Sequence, residues 1–253
     1  MIRRELEYFF GAVRFFTRLP VPAWVGHSSA ALNRAARYFP AVGLLVGGIG
    51  ALVYQASALF WPQSVAVLLS LAATIYATGA FHEDGLADSV DGFGGGWDKL
   101  RILEIMKDSR VGSYGVVAMV LALLGKFLLL NSLDAALVPW ALLAGHAASR
   151  FCSNLLLATM TYVREDLLSK AKPLATQLYA GELAVALFFV LLALIPLSPE
   201  NALAGCALAT ISTWWLAAKF KRWLGGYTGD CLGATQQVSE LAFYLGLVAH
   251  WPG

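Results

Sequence analysis

Between positions 81 and 96 the chain reads Phe81-His82-Glu83-Asp84-Gly85-Leu86-Ala87-Asp88-Ser89-Val90-Asp91-Gly92-Phe93-Gly94-Gly95-Gly96. On a helix, Asp84, Asp88 and Asp91 fall at i, i+4 and i+7, within about 60° of one another on one face. Like charges so placed destabilise a helix by a few tenths of a kcal/mol per pair, and by more beside a low-dielectric boundary, unless a cation compensates. Hard oxygen donors at a water-accessible place suit Mg²⁺ or Mn²⁺, ions that bridge carboxylates and substrate phosphates. Gly85 and Gly92 would let a ligand come close to the backbone, and the Gly94–Gly96 run predicts the end of the helix. The competing reading is a solvated acidic loop.

Three further clusters carry polar chemistry. Met106-Lys107-Asp108-Ser109-Arg110-Val111-Gly112-Ser113-Tyr114-Gly115 places two cations before an apolar run. Lys107 and Arg110 could hold phosphate oxygens, Arg with a bidentate fork, or could simply anchor a membrane boundary. A helix N-terminus near Ser113 would add backbone donors for an anion. His146, Arg150 and Asn154 form a stripe at i, i+4 and i+8 inside an apolar run. An Arg there costs at least ~2.5 kcal/mol to insert, so it is expected to face a cavity or a partner; Arg150 is the candidate phosphate contact, with a bond to another span as the alternative. His146 reads as packing and Lys126 as a snorkelling anchor. Finally, Gly225-Gly226-Tyr227-Thr228-Gly229-Asp230-Cys231-Leu232-Gly233 reads as a backbone loop around a ligand, with Thr228, Gly229 and Asp230 as contacts, or as a plain turn. The GxxxxGK(S/T) pattern of a P-loop is absent.

The elements that must position these residues follow from composition. Of 253 residues 58% are apolar and 13% charged, against roughly 45–50% and about 25% in a soluble domain. The expected fold is all-α, a polytopic membrane bundle. Three cysteines, too dispersed for a CxxC site, exclude a disulfide scaffold. A net charge of +2 argues against a nucleic-acid partner. Apolar runs of about 20 residues, the length that crosses a hydrocarbon core, occur at Tyr38–Phe60, Ser64–Phe81, Ser113–Asn131, Ala135–Tyr162, Leu183–Leu197, Ala202–Ala218 and Gln236–Trp251. About seven spans are expected.

Sixteen of the 18 Lys and Arg residues fall in alternate connections, and only Lys126 and Arg150 lie within runs. The positive-inside rule then puts the N-terminus and the long polar segments in the cytoplasm and the C-terminus outside. The expectation is a single membrane domain over 1–253, with three cytoplasmic parts: a segment over 1–37, an acidic catalytic loop over 82–112 and a Gly-rich loop over 219–235. The first 37 residues lack a cleavable signal pattern. They predict an amphipathic helix in the interface, stopped by Pro20 and Pro22.

Phe16-Thr17-Arg18-Leu19-Pro20-Val21-Pro22, Phe81 to Gly96, Met106 to Gly115 and Gly226 to Thr235 together resemble the cobalamin synthase family of adenosylcobinamide-GDP ribazoletransferases (cobalamin 5′-phosphate synthases). The resemblance implies transfer of adenosylcobinamide phosphate from adenosylcobinamide-GDP to α-ribazole or its 5′-phosphate, with release of GMP. It also implies Mg²⁺ and the inner membrane of a prokaryote, with membrane lipids around the chain. Under it, Asp84 and Asp88, assisted by Glu83, would hold the metal, and Asp91 would be the base for a ribose hydroxyl. Lys107, Arg110 and Arg150 would neutralise phosphates. A homo-oligomer is compatible with this reading.

The acidic motif is also similar to the CDP-alcohol phosphotransferase signature DGx2ARx8Gx3Dx3D of lipid synthesis, but Asp88 stands where its Arg belongs and the later spacer is missing. A divalent-cation transporter is the rival of another class. Its acids would gather at the midplane, whereas these gather at the cytoplasmic interface.

Overall fold

The computed structural model describes residues 2–26, 29–163 and 178–249. Among the described residues eleven α-helices follow one another: α1 (Ile2–Phe16), α2 (Ser29–Ala35), α3 (Phe39–Ala58), α4 (Gln63–Thr78), α5 (Phe81–Gly95), α6 (Lys99–Ile105), α7 (Ser113–Asn131), α8 (Val138–Thr159), α9 (Ala180–Leu194), α10 (Pro199–Leu224) and α11 (Gly229–Leu247). A single 3-10 turn, Ala36–Tyr38, joins α2 to α3. The only β pairing among the described residues is a bridge between Tyr162 and Tyr227. The basic stretch after Val163 lies for the most part outside the described residues, as does the end of the seventh run.

Each apolar run forms a helix. By length and composition α3 with the turns before it, α7 and α10 are able to cross a membrane, and the bent pair α4–α5 makes a fourth crossing if it counts as one. α9 is apolar but has only 15 residues. The 22 residues of α8 and 19 of α11 are less apolar because each carries a buried polar stripe: His146, Arg150 and Asn154 on α8, and Gln236, Gln237 and Glu240 on α11. These two helices face the interior, while α7 turns Val116, Val117, Val120, Leu121, Leu124 and Leu128 outward.

Local signals set several boundaries. Ser198 caps α10, its hydroxyl accepting from Asn201 N, and Pro199 takes the first turn, where no N–H is needed. Gly225, left-handed at φ 79°, closes that helix. The Gly-rich stretch expected as a loop over 219–235 therefore shrinks to 225–228, because α10 runs through its start and α11 through its end. Likewise the expected catalytic loop 82–112 is mostly helix, α5 and α6.

The second run does not continue into the acidic motif. Gly79 (φ 68°) and Ala80 (φ 59°) both take the left-handed conformation, and α5 leaves α4 at 86°. Ala80 pays roughly 1–2 kcal/mol for that backbone, so neighbouring structure must hold it. Arg18 supplies part of that hold: its N–H donates to Ala77 O at 2.8 Å, and its guanidinium fills the space where a side chain at 79 would stand. Phe16 stacks on His82 with ring centroids 5.2 Å apart and contacts Phe81 edge-on at 5.7 Å. The Phe16–Pro22 motif thus fixes the corner from which the acidic helix departs.

α1 is amphipathic, as expected, but Tyr8, Ala12, Val13 and Phe16 are buried in the same core as Phe39, Leu86 and Phe220. Much of its apolar face packs on protein, while Ile2 and Leu6 stay exposed. Arg37 ties it down further, reaching Glu5 and Glu182, each at 3.4 Å.

Candidate active site

α5 and α11 cross at Gly85 and Gly233. A Cβ on Gly85 would stand 3.2 Å from Gly233 Cα and 3.1 Å from Asp230 O, so only a bare backbone permits this approach. The crossing brings the N-terminal turn of α11 beside the acidic face of α5. Asp84 is exposed, and Asp88, Gly229 and Asp230 are half-buried. Thr228 is fully buried and acts as the N-cap of α11, accepting from Cys231 N at 3.3 Å; its hydroxyl belongs to the fold rather than to a ligand.

Glu83 does not join Asp84 and Asp88. One residue earlier on the helix means about 100° of rotation, which turns its carboxylate into the bundle. There Oε1 accepts from Gln237 Nε2 at 3.0 Å, and Oε2 is buried without a hydrogen-bond partner among the described residues. Those residues contain no ready-made cluster of three metal-ligating side chains.

Asp91, expected as the base, is buried and already engaged. One carboxylate oxygen accepts from Gly112 N at 2.7 Å and the other from Gly115 N at 2.8 Å. The anion expected at the N-terminus of the helix near Ser113 is this carboxylate. A Cβ on Gly112 or Gly115 would collide with it, which gives both glycines of the motif a reason. With each oxygen accepting from a backbone donor at a positive helix end, Asp91 ties the start of α7 to α5.

Lys107 and Arg110 lie on the exposed link between α6 and α7. Arg110 grips Asp108 through Nε and Nη2, the shortest contact being 2.6 Å. That guanidinium holds the Asp108 carboxyl down at about 2, and Asp108 in turn raises Arg110. Arg110 and Arg101 line an open cavity of about 610 Å³ that also reaches Asp91 and Ser113.

Arg150 is 1% exposed and donates to His146 O at 3.0 Å, with His146 Nδ1 at 3.2 Å. Both of these contacts lie within α8 itself, and Arg150 also lines a small cavity with His82, Gly229 and Gly233 at the start of α11. Lys126 corrects another expectation. Instead of snorkelling it is buried and pairs with Glu240 at 3.1 Å, both side chains 4% exposed or less. Glu240 also accepts from Tyr244 OH at 3.1 Å and Gln236 Nε2 at 2.5 Å, and lies 3.5 Å from His146 Nδ1. Gln236, Gln237 and Glu240 escaped the sequence reading. The available signal was one charge of each sign, Lys126 and Glu240, alone in two different apolar runs.

The arrangement is a carboxylate face on a helix at the end of the bundle, a glycine-rich helix start beside it and basic residues on the adjoining link. It suits chemistry on a phosphorylated, partly water-soluble substrate. Comparison with known proteins bears on which one. The sequence model described as cobalamin-5-phosphate synthase matches residues 8–248. An adenosylcobinamide-GDP ribazoletransferase of Shewanella woodyi is 46% identical over 98% of both chains. One of Shewanella amazonensis is 47% identical over 98% of this chain and 97% of its own, and one of a Polaromonas species is 48% identical over 93% and 94%. No solved structure matches. With the match running through both helices that build the site and nearly to both ends, the chain belongs to the cobalamin-5-phosphate synthase family.

Proposed function

We propose that this chain transfers adenosylcobinamide phosphate from adenosylcobinamide-GDP to α-ribazole or α-ribazole 5′-phosphate, releasing GMP, in the assembly of the cobalamin nucleotide loop. The observation that carries the reading is the Gly85–Gly233 crossing, which sets Asp84 and Asp88 beside the start of α11 in a chain of this family. A ribose hydroxyl of the acceptor attacks the phosphorus bearing the cobinamide, the bond to GMP breaks, and the hydroxyl proton passes to the acidic face or to water.

Asp84 and Asp88 are the residues to hold Mg²⁺, with Mn²⁺ as a substitute and Asp230 adjacent. Two carboxylates one turn apart are a fitting donor set, because Mg²⁺ is usually held by one or two carboxylates plus substrate phosphates rather than by an all-protein cage. When bound, the ion withdraws charge from the phosphate oxygens. Lys107 and Arg110 neutralise the remaining phosphate charge, Arg110 by exchanging Asp108 for substrate. Asp91 holds α7 in place, and Glu83 anchors α5 to α11.

In this reading the seven apolar helices cross the cytoplasmic membrane of a prokaryote, N-terminus inside and C-terminus outside, with the acidic face toward the cytoplasm. Purified protein in vesicles should release GMP from adenosylcobinamide-GDP only when α-ribazole or its phosphate is added. Transfer of a CDP-linked lipid group, or metal uptake without GMP release, would refute the assignment. Cysteines introduced at Ser132 and Asn201 should be labelled from outside; labelling only from the cytoplasmic face would overturn the orientation.

A further inference from the structure

α5 has two faces of opposite chemistry. Asp84, Asp88 and Asp91 share one; Leu86, Val90 and Phe93 lie on the other, roughly half a turn away. Beneath this second face lies a lateral cavity of about 210 Å³, closed by Trp215 and Lys219 of α10 and Val238 of α11. Its walls are mostly apolar, with the Ser89 hydroxyl, Tyr114 and one cation, Lys219, as the polar groups. The Lys219 ammonium sits 5.1 Å from the Phe93 ring centroid and 5.7 Å from that of Trp215, and makes no ion pair among the described residues.

The depth of this cavity can be read from α10. Trp214 and Trp215 are 73% and 57% exposed, and Lys219, Lys221 and Arg222 follow them near the end of the helix. Tryptophans followed by basic residues at a helix end mark the headgroup level of a bilayer. An occupant must therefore offer an apolar chain to Leu86, Val90 and Val238 and a negative charge to Lys219. A nucleotide fits poorly, since most of the lining is apolar and the carboxylates lie on the far side of α5.

We infer that this groove binds one anionic phospholipid, its phosphate on Lys219 and an acyl chain beneath α5, and that the lipid supports the helix carrying Asp84 and Asp88. The inference rests on the membrane-spanning reading above. It is tested with full-length protein in vesicles of phosphatidylcholine alone or mixed with phosphatidylglycerol, one lipid at a time carrying a photoreactive acyl chain, and crosslinks mapped by peptide mass spectrometry. Phosphatidylglycerol should label the α5 and α10 segments of the groove about five-fold more than phosphatidylcholine, the advantage of one lysine at an anionic headgroup.

Lys219→Ala should abolish that preference, whereas Lys219→Arg, Lys221→Ala and Arg222→Ala should keep it. Equal labelling by the two lipids, or equal loss in all three alanine variants, would overturn the site in favour of general surface charge. Displacement of the label by adenosylcobinamide-GDP would overturn it in favour of substrate. Absence of labelling by either lipid on any helix would instead refute the membrane reading.

Discussion

Replacing Asp91 with asparagine separates two roles for that residue. The carboxylate accepts from two backbone N–H groups, at 2.7 and 2.8 Å, at the start of α7. Asn keeps one acceptor oxygen but turns an NH₂ toward the second donor. One charge-assisted hydrogen bond is lost, ~1.5–3 kcal/mol, together with the charge–dipole attraction at the helix end, ~0.3–1 kcal/mol. The sum is about 2–4 kcal/mol, equivalent to roughly 4–16 °C in Tm for a chain of this size. Thermal unfolding of the solubilised protein should show that drop, and Gly115→Ala, which drives a Cβ toward the same carboxylate and Ala87 O, should show one of similar sign. Asp91→Asn protein assayed below its unfolding temperature should keep the wild-type shape of its rate–pH profile. An unchanged Tm together with a 10²–10⁴-fold loss of rate and loss of one limb of that profile would refute the positioning role and restore Asp91 as the base.

Asp84→Asn and Asp88→Asn should each abolish turnover while the protein still inserts and folds, and exhaustive chelation should do the same to wild type; full activity after chelation would dismiss the metal. Glu240→Gln leaves Lys126 buried without a counter-charge and should cost ~3–5 kcal/mol, whereas Lys126→Met with Glu240→Leu should recover most of it, as read by thermal stability in detergent. Asp108 is held down at about 2 by Arg110, below its ordinary ~3.9, so the pair's contribution is complete above about pH 4 and is lost as pH falls through 2. Any limb of the rate–pH profile between pH 6 and 9 should therefore persist in Asp108→Asn; its disappearance there would contradict this assignment.

By itself the sequence determined the all-helical character, the approximate position of each apolar helix and the acidic face of α5; the end of α10 and the start of α11 lie six and seven residues outside the expected runs. The features so determined depend on local composition and on the 3.6-residue period, which are written along the chain. The stop at Gly94–Gly96 was legible for the same reason. Tertiary structure alone decided which polar groups meet. The 86° corner at Gly79–Ala80 depends on Arg18 and Phe16, about 60 residues away in sequence, and no periodicity carries that distance. Glu83 and Asp84 are chemically similar neighbours, yet one helical step sends the first to Gln237 in the interior and leaves the second exposed. Asp91 looked like a free carboxylate until α7 brought Gly112 and Gly115 to it. Lys126 looked like an interfacial anchor until α11 set Glu240 against it. A buried charge is tolerated only where another element supplies its partner, and that partner is fixed by packing between helices.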